Sequence, residues 1–296
     1  MAIGKMLNRI FDAANIVILL TFTFVCMYPF YYIFIYSISD PRMAQRGITL
    51  MPRGITLTNY SDILQLPNLF NATIVSSMRT ILGTAITVFC CSFFAYIVTK
   101  NELYFRKLIY RSLVVTMYIN AGLIPWYLTM KNYGLNNNFL LYVIPTAISA
   151  YYVILLRTFI EQLPQSLEES AKIDGAGYIR IFFQLILPLS KPIVATIAVF
   201  AAVAQWNTWF DNYFLVQDVK LKTLQLILYE YLNQANAIAQ AINRTGSTQG
   251  MENYIKMTPA SIKMTTTMVV TLPILFVYPF MQKYFVKGIM LGAIKG

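Results

Sequence analysis

The sequence contains no histidine among its 296 residues, and only 12 residues are acidic. Without histidine, neither a Ser-His-Asp triad nor a Cys/His metal cluster can form. The scarcity of carboxylates disfavours a proton-coupled carrier and a membrane-embedded transferase, since both need acids inside the membrane. A G-x-x-x-x-G-K-[ST] phosphate loop is also absent, so this chain cannot hydrolyse ATP by that route. We predict no catalytic residue, no metal ligand and no cofactor of its own.

Cysteine and charge are scarce as well. The three cysteines, Cys26, Cys90 and Cys91, lie in apolar runs, which argues against a disulfide framework. Charged residues make up 12% of the chain and hydrophobic residues 57%. That charged share is about half of what a soluble domain carries. Because several runs of about 20 residues are nearly free of charge, we predict an all-α polytopic membrane protein.

The net charge of +11 raises the alternative of a nucleic-acid-binding protein. The basic residues are scattered among loops at the predicted membrane borders and form no basic stripe. Retention of Lys and Arg beside lipid headgroups explains this pattern better. We therefore expect contact with the lipid bilayer and no nucleic-acid partner.

Six apolar segments predict six transmembrane helices. They cover about residues 13–37, 71–99, 108–130, 139–160, 192–214 and 265–285. Prolines inside them at positions 29, 125, 145, 273 and 279 predict kinks or breaks. The first run lacks a small-residue cleavage site, so we expect it to be a retained helix. The short connections after the second and fourth spans carry closely spaced basic residues, which predicts that they and both termini are cytoplasmic.

We predict one membrane domain over residues 1–296, with its core at about 71–286. The long connections 38–70 and 215–264 would be external, and residues 287–296 would form a cytoplasmic tail. Within the first connection, the segment Leu57 to Leu64 predicts a short amphipathic helix.

A polar stretch at residues 164–188 separates the predicted fourth and fifth spans. We call it the elbow. Ser166 and Glu169 have the spacing of a capping box, which predicts a first helix from about Leu167 to Asp174. Gly175 would end this helix in the left-handed conformation.

The elbow continues into a second helix with an apolar face, which Pro188 should end. In the first helix, Ser170 and Ala171 are small and share a face with Leu167 and Asp174, so another protein could approach closely. The pattern alone leaves two interpretations open, a solvated loop or a docking element for a soluble partner.

The elbow resembles the EAA loop of bacterial ABC-importer permeases. Its pattern of E-A-A, three residues, G, nine residues and I-x-L-P is matched from Glu169 to Pro188, with Ser170 and Leu185 as mild departures. In that family the loop forms a coupling helix that sits in a cleft of the ATP-hydrolysing subunit. The resemblance thus implies ATPase coupling by Glu168, Glu169, Ser170, Ala171, Asp174, Gly175 and Pro188.

The resemblance also implies individual roles within the elbow. Glu169 would cap and orient the coupling helix, and Ala171 would allow close docking. Gly175 would permit the turn, and Pro188 would fix the exit angle toward the fifth span.

Similarity to MalG-type sugar-importer permeases covers essentially the whole chain. It includes the Trp-Asn pair after the elbow and the tail F-V-K-G-I-M-L-G-A-I-K-G, and it is strongest with the branch that imports complex oligosaccharides such as alginate fragments. The resemblance implies a bacterial plasma-membrane location, a second and different permease, an external solute-binding protein and an oligosaccharide substrate. It also implies two copies of a cytoplasmic ATPase, which bind ATP and Mg, and a tail at residues 287–296 that reaches toward them.

The end of the fifth span is rich in aromatic and amide side chains. Rings that stack on sugars and polar groups that reach hydroxyls make this stretch a candidate substrate path. Its residues are Trp206, Asn207, Trp209, Asp211, Asn212 and Tyr213, with Tyr118, Asn120 and Trp126 as weaker candidates. The alternative is an aromatic belt at the membrane interface.

Arg79 lies about two turns into the second span and is a further candidate for the substrate path. Because an arginine facing lipid is unfavourable, it should face the bundle or a water-filled path. The alternative is that it snorkels to the outer headgroups, and the sequence does not decide between them.

The resemblance favours a permease subunit of an ATP-driven oligosaccharide importer. The main alternative is a stand-alone secondary carrier or channel that works without ATP. A membrane-embedded enzyme is a third possibility, which the lack of histidine and acidic clusters disfavours.

Overall fold

A computed structural model of the chain describes residues 2–44, 47, 50–245 and 258–293, and this part is built of helices and turns. In chain order the α-helices are α1 (Ala2–Ser37), α2 (Pro41–Ala44), α3 (Thr58–Leu64), α4 (Leu69–Ile97), α5 (Arg106–Thr116), α6 (Leu123–Asn132), α7 (Ala150–Ile160), α8 (Gln165–Ile173), α9 (Tyr178–Ile181), α10 (Leu187–Leu189), α11 (Lys191–Asn207), α12 (Phe210–Leu215), α13 (Leu224–Thr245) and α14 (Pro259–Ala293). Two 3-10 helices, Phe139–Tyr142 and Val219–Leu221, and a π-helical turn, Phe182–Ile186, lie between them. The predicted all-α class is confirmed.

The chain divides into two compact units. The first comprises residues 1–67 and 228–272, and the second comprises residues 68–227 and 273–296. The predicted single membrane domain, with its core at 71–286, stays a prediction.

The first unit is organised around the end of α1. Asn59 of α3 is fully buried, and its Nδ2 donates to the Ser37 and Ser39 carbonyls at 2.8 and 2.9 Å. The predicted helix at Leu57–Leu64 is confirmed as α3, and Ile63 is its buried apolar residue. These bonds satisfy carbonyls that the end of α1 leaves without a helical partner.

The core of the second unit lies between α4, α7, α11 and the second half of the elbow. Its buried side chains are Cys91, Ala95, Tyr96, Val153, Leu156, Ile160, Ile181, Phe182, Ile186 and Ile197. Phe182 packs edge-on against Phe93 with ring centroids 5.2 Å apart. Close packing of this kind holds membrane helices together, because lipid is as apolar as the helices themselves. The elbow is therefore anchored in the helical core.

Three helical stretches in the described part are long and apolar enough to cross a membrane, Asn8–Ser37, Leu69–Ile97 and Pro259–Phe276. A fourth crossing would combine the bent pair Tyr178–Leu189 and Lys191–Asn207. The first, second and last predicted spans thus match continuous helices. The predicted total of six spans is not confirmed.

The predicted third span is not one helix. It divides into α5 and α6, and the break ends at Gly122, whose φ is +82°. The Oδ1 of Asn120 accepts a hydrogen bond from the Gly122 amide at 2.9 Å and closes this turn. Pro125 lies inside α6 near its start, where a proline is tolerated because that amide has no helical partner.

The predicted fourth span is not one continuous helix, and only its second half is α-helical. The 3-10 helix Phe139–Tyr142 is followed by irregular backbone up to Ser149, where α7 begins. Two side chains of α4 satisfy this irregular backbone. Thr87 Oγ1 donates to the Thr146 carbonyl at 2.9 Å, and Cys91 Sγ accepts from the Ser149 amide at 3.3 Å. Irregular backbone at membrane depth needs such partners.

The second helix of the elbow does not end at Pro188. It runs on to Leu189, and the bend of 83° falls at Ser190, before α11. The π-helical turn before Pro188 accommodates that residue, since a proline cannot donate the usual helical bond. Pro192 lies at the start of α11, where its missing amide favours a new helix.

The predicted loop at 215–264 contains a helix, so its description as a polar loop is wrong for its first half. Helix α13 covers Leu224–Thr245, and residues 246–257 lie outside the described part. Its run of Leu, Ala and Gln residues has high helix propensity. The backbone of α14 extends to Ala293 and includes most of the predicted tail at 287–296.

Candidate functional site

The first helix of the elbow, α8, starts earlier than predicted, and the predicted capping box is wrong. Pro164 is the N-cap residue, and no side chain accepts a capping hydrogen bond there. Ser166 lies inside the first turn, and its carbonyl accepts a bond from Ser170 Oγ at 2.8 Å. Because proline presets its own φ, the helix begins directly after Pro164, and Glu169 falls in the middle of α8. Glu169 therefore caps nothing.

The C-terminal end of α8 is a Schellman motif. Gly175 has a φ of +79°, which confirms the predicted left-handed stop. The amide of Ala176 donates to the Ala171 carbonyl at 2.9 Å, and the Gly175 amide donates to the Lys172 carbonyl at 3.0 Å. This pair of bonds satisfies carbonyls at the end of the helix. The turn thus fixes the angle at which the elbow leaves α8.

Helix α8 has an inner and an outer face. Ala171 is half-buried and packs against the hydrophobic core of the second unit, so its small size lets α8 lie close to its own chain. The outer face carries Ser166, Glu169, Ser170 and Ile173, all exposed. Ile173 is 86% exposed, the highest value among the large hydrophobic side chains in the described part of the chain. Spacings of three, four and seven residues place these four on one stripe.

An ion pair fastens α8 to the connection that follows α4. Lys100 Nζ donates to both carboxylate oxygens of Glu168, at 2.6 Å to Oε1, and lies 4.0 Å from the centre of the Tyr96 ring. The side chains of Lys100 and Glu168 are only 14% and 18% exposed. Glu168 was predicted to belong to the coupling element, but its partner Lys100 was not predicted.

A second, more exposed pair extends this cluster. Lys172 Nζ lies 3.4 Å from Glu102 Oε1 and 3.8 Å from Glu168 Oε1. Burial lowers the pKa of Lys100, although the Glu168 carboxylate opposes this change. Burial also acts to lower the pKa of Lys172, but Glu102 and Glu168 outweigh it, so the pKa of Lys172 is raised. The pKa values of the two lysines of the cluster therefore shift in opposite directions, because Lys100 is more buried than Lys172.

We expect Glu168→Gln to lower the stability of the folded chain by about 1–2 kcal/mol, because it leaves half-buried Lys100 without its charged partner. Thermal unfolding of the purified full chain, followed by tryptophan fluorescence, measures this. Glu102→Gln is the matched control and should leave the melting temperature unchanged, since its ion pair is exposed. The charge-swapped Lys100→Glu/Glu168→Lys variant should recover part of the loss. Equal melting temperatures for both single variants would contradict the fastening role.

Arg79 is buried, with a relative exposure of 1%, so it does not snorkel to the headgroups. Its Nη1 and Nη2 donate to the two carboxylate oxygens of Asp211 at 3.0 and 2.6 Å. Its Nε donates to Gln205 Oε1 at 3.0 Å, and Nη1 also donates to the Thr208 carbonyl at 3.2 Å. A bidentate pair with further donors matched is the arrangement that a buried arginine requires.

The Arg79–Asp211 pair belongs to a larger buried network. The guanidinium lies 4.6 Å from the centre of the Tyr142 ring, and the Tyr142 hydroxyl meets Asn212 Nδ2 and donates to the Leu221 carbonyl at 2.6 Å. Asn212 Oδ1 accepts from the Thr223 amide at 3.0 Å. The network thus joins α4, the break between α11 and α12, and the segment before α13.

Two candidates for the substrate path, Arg79 and Asp211, therefore form an ion pair with each other inside the protein. Asn212, a third, is fully buried in the same network. Their roles as sugar contacts stay predictions, and the structure shows that these side chains bind one another within the chain. The signal for this pairing was present in the sequence, because Arg79 and Asp211 are opposite charges inside two different predicted spans.

The remaining aromatic candidates lie outside this network. Trp206 is half-buried and lines a cavity of about 250 Å³ with Ile81, Val199 and Pro273. These apolar walls offer few hydrogen bonds to a sugar. Asn207 and Tyr213 are exposed, whereas Trp209 is half-buried and packs edge-on against the Tyr213 ring at 5.8 Å. An aromatic belt and an outer sugar contact both stay open for these residues.

The weaker candidates of the predicted third span differ in their exposure. Tyr118 and Asn120 are exposed in the break between α5 and α6. Trp126 is half-buried, and its ring centroid lies 5.7 Å from that of Phe210. The structure brings Trp126 and the end of the fifth predicted span together.

These features define a class. In the described part, long apolar helices surround a hydrophobic core, and a short polar helix with an exposed outer face is fastened to that core, which is typical of the membrane subunit of a transporter. The model of the family described as the binding-protein-dependent transport system inner membrane component matches residues 89–291. The chain belongs to this family of ABC-importer permeases.

Relatives match over nearly the full length. The polygalacturonan/rhamnogalacturonan transport system permease protein YtcP of Bacillus subtilis is 34% identical, with 98% of this chain and 100% of that one covered. Protein LplC of Bacillus subtilis is 35% identical, with 98% and 96% covered. A chain in the crystal structure of a bacterial ABC transporter for the acidic polysaccharide alginate is 28% identical, with a TM-score of 0.81 and 94% and 97% covered. The expectation of a sugar-importer permease is confirmed at the level of the family.

Proposed function

We propose that this permease moves an oligosaccharide, as a fragment of an acidic polysaccharide, from an external solute-binding protein into a bacterial cytoplasm. The support for the substrate class comes from the relatives, one transporting polygalacturonan and another alginate. A second, different permease would complete the path. ATP and Mg would be bound by two copies of a separate ATPase, with both termini of this chain on the same cytoplasmic side.

The outer face of α8 is the main structural support for docking to an ATPase. This face consists of Ser166, Glu169, Ser170 and Ile173, and it is exposed on a helix that is capped at one end and tied to Lys100 at the other. An exposed isoleucine beside small serines fits a pocket on a soluble partner, where a buried apolar anchor dominates binding. In this proposal Ser170 allows close approach, while Ala171 packs α8 on its own core.

Coupling would follow from the way the elbow is anchored. Ile181 and Phe182 are 1% exposed and sit in the core formed with α4, α7 and α11. A force on α8 would therefore act directly on these helices instead of dissipating in a flexible loop. The 83° bend at Ser190 directs the movement into α11. The stand-alone carrier is not favoured, because it gives α8 no reason to be exposed and so rigidly held.

The experiment is purification of the full chain from its native membrane in mild detergent, with mass spectrometry of the associated subunits. A second permease and an ATPase should accompany the wild type. Ile173→Asp should lose the ATPase by at least about tenfold, since a charge replaces the apolar anchor. The binding protein, recovered separately, should carry an acidic oligosaccharide.

The matched control is Leu57→Asp, the same type of change at a residue that is 68% exposed in the predicted external connection. It should keep the ATPase. Purification of the wild type alone and stable would refute the importer assembly, and an unchanged ATPase yield for Ile173→Asp would refute α8 as its docking element.

A further inference from the structure

A basic cleft lies between α5 and α7. It is a cavity of about 220 Å³ lined by Val98, Arg106, Lys107, Tyr110, Arg111 and Arg157. A neighbouring cavity of about 500 Å³ shares Arg106, Lys107 and Arg111 and is also lined by Phe105 and Leu108. Arg106, Lys107 and Arg111 therefore line both cavities, and Arg157 lines the smaller one.

Internal contacts neutralise little of this charge. Arg157 pairs with Glu161 at 2.8 Å and stacks 3.8 Å over the Tyr110 ring, which holds its guanidinium in place. Arg106 Nη1 donates to the Thr99 carbonyl and Asn101 Oδ1 at 3.0 and 2.6 Å. These neutral groups position the guanidinium, and no described residue forms an ion pair with it.

Lys107 and Arg111 form no ion pair with any residue that the structure describes. The ammonium and guanidinium groups are four residues apart on α5, where like charges repel. With two positioned arginines beside them, these two cations give the cleft an excess of positive charge.

The surface next to the cleft indicates which anion it takes. Leu108 and Val115, on the same side of α5 as Lys107 and Arg111, are 62% and 51% exposed. Phe105 is 76% exposed at the start of the helix. A soluble anion would cover none of this apolar surface. A lipid would place its headgroup in the basic cleft and its acyl chains on the apolar surface at the same time. Aromatic and basic residues at such a border are typical of the headgroup region.

The geometry points to a binding site for an anionic phospholipid in this cleft. We propose that Arg106, Lys107, Arg111 and Arg157 hold the phosphodiester, while the acyl chains lie along Leu108 and Val115. Basic pockets between membrane helices bind anionic headgroups in this way. Arginine forks suit the two free oxygens of a phosphodiester. The bound lipid would also wedge α5 against α7, the helix that leads into the elbow.

The test uses the full chain with its co-purified subunits, examined by native mass spectrometry during titration with phosphatidylglycerol or phosphatidylcholine. The wild type should bind phosphatidylglycerol with a clear preference. Lys107→Gln/Arg111→Gln should weaken that binding by about 30-fold, the effect expected from two cations at the membrane surface. Lys131→Gln/Lys220→Gln removes the same charge from exposed positions elsewhere and should bind as the wild type does.

Several results would overturn the proposal. They are equal binding of the two lipids, unchanged binding by the Lys107/Arg111 variant, and displacement of the lipid by millimolar inorganic phosphate, which would indicate a free-anion site. Loss of a protein subunit with lipid binding retained would identify a protein-docking surface instead. If the double variant does not fold, Lys107→Gln alone should show about a fivefold loss. Arg111→Lys, which keeps the charge, should preserve the preference.

Discussion

Asp211→Asn should destabilise the permease by about 3–5 kcal/mol, the cost of leaving a buried charge without its partner. Arg79 is only 1% exposed and directs two of its donors at the Asp211 carboxylate. An asparagine at position 211 could accept a hydrogen bond from one of these two donors, but it could not balance the positive charge of Arg79. The expected result is a large fall in melting temperature and in the yield of monodisperse protein, measured by size-exclusion chromatography after heating.

The pair also allows a double-mutant cycle. Arg79→Met alone should be as harmful as Asp211→Asn, because it strands the carboxylate. The double variant Arg79→Met/Asp211→Leu should recover at least half of the loss, since replacing both charges by apolar side chains is often close to neutral. Asp218→Asn is the matched control. Asp218 is exposed and caps a short helix, a role in which asparagine is equivalent.

The cycle also separates the two interpretations of Asp211. If Asp211 served mainly to bind a sugar, Asp211→Asn would fold normally and lose uptake, and Arg79→Met would not couple to it. Full stability of Asp211→Asn would therefore reject the internal ion pair as a stabilising element. The network reaches Tyr142 and Asn212, so we expect α12 to be the first helix released when the pair is broken.

The features that sequence predicted well are local ones. The left-handed stop at Gly175 follows from a glycine at the end of a short polar helix, and α3 follows from the pattern within eight residues. The long apolar runs likewise predicted α1, α4 and α14. In each case, the residues that decide the structure are neighbours in the chain.

The features that sequence missed depend on distant residues. Backbone between Tyr142 and α7 is irregular because Thr87 and Cys91, on another helix, supply its hydrogen bonds. Lys100 reaches Glu168 across 68 positions, and Arg79 reaches Asp211 across 132. Such pairings are invisible to a periodicity argument. The capping box failed for a local reason, since Pro164 competed with Ser166 as the helix start.

Gly175→Val should weaken the coupling between ATP hydrolysis and transport by about tenfold without preventing membrane insertion, in the proposed assembly with an ATPase. Gly175 has a φ of +79°, a conformation that costs an L-residue about 1–2 kcal/mol, and more when it is β-branched. A Cβ atom at this position would have no neighbour within 4 Å, so the penalty comes from the backbone conformation. The Schellman turn would give way, and α8 would change its angle to the rest of the elbow.

The measurement is substrate-stimulated ATP hydrolysis by the reconstituted complex, alongside uptake into vesicles. Gly175→Val should lower the stimulation by about tenfold, which corresponds to the strain at this residue. Gly175→Asn is the matched control, because asparagine tolerates the left-handed conformation, and it should retain most of the activity. Both variants should co-purify with the ATPase. Normal stimulation in Gly175→Val would mean that the angle of α8 does not transmit the force, and that the elbow only holds the ATPase at the membrane.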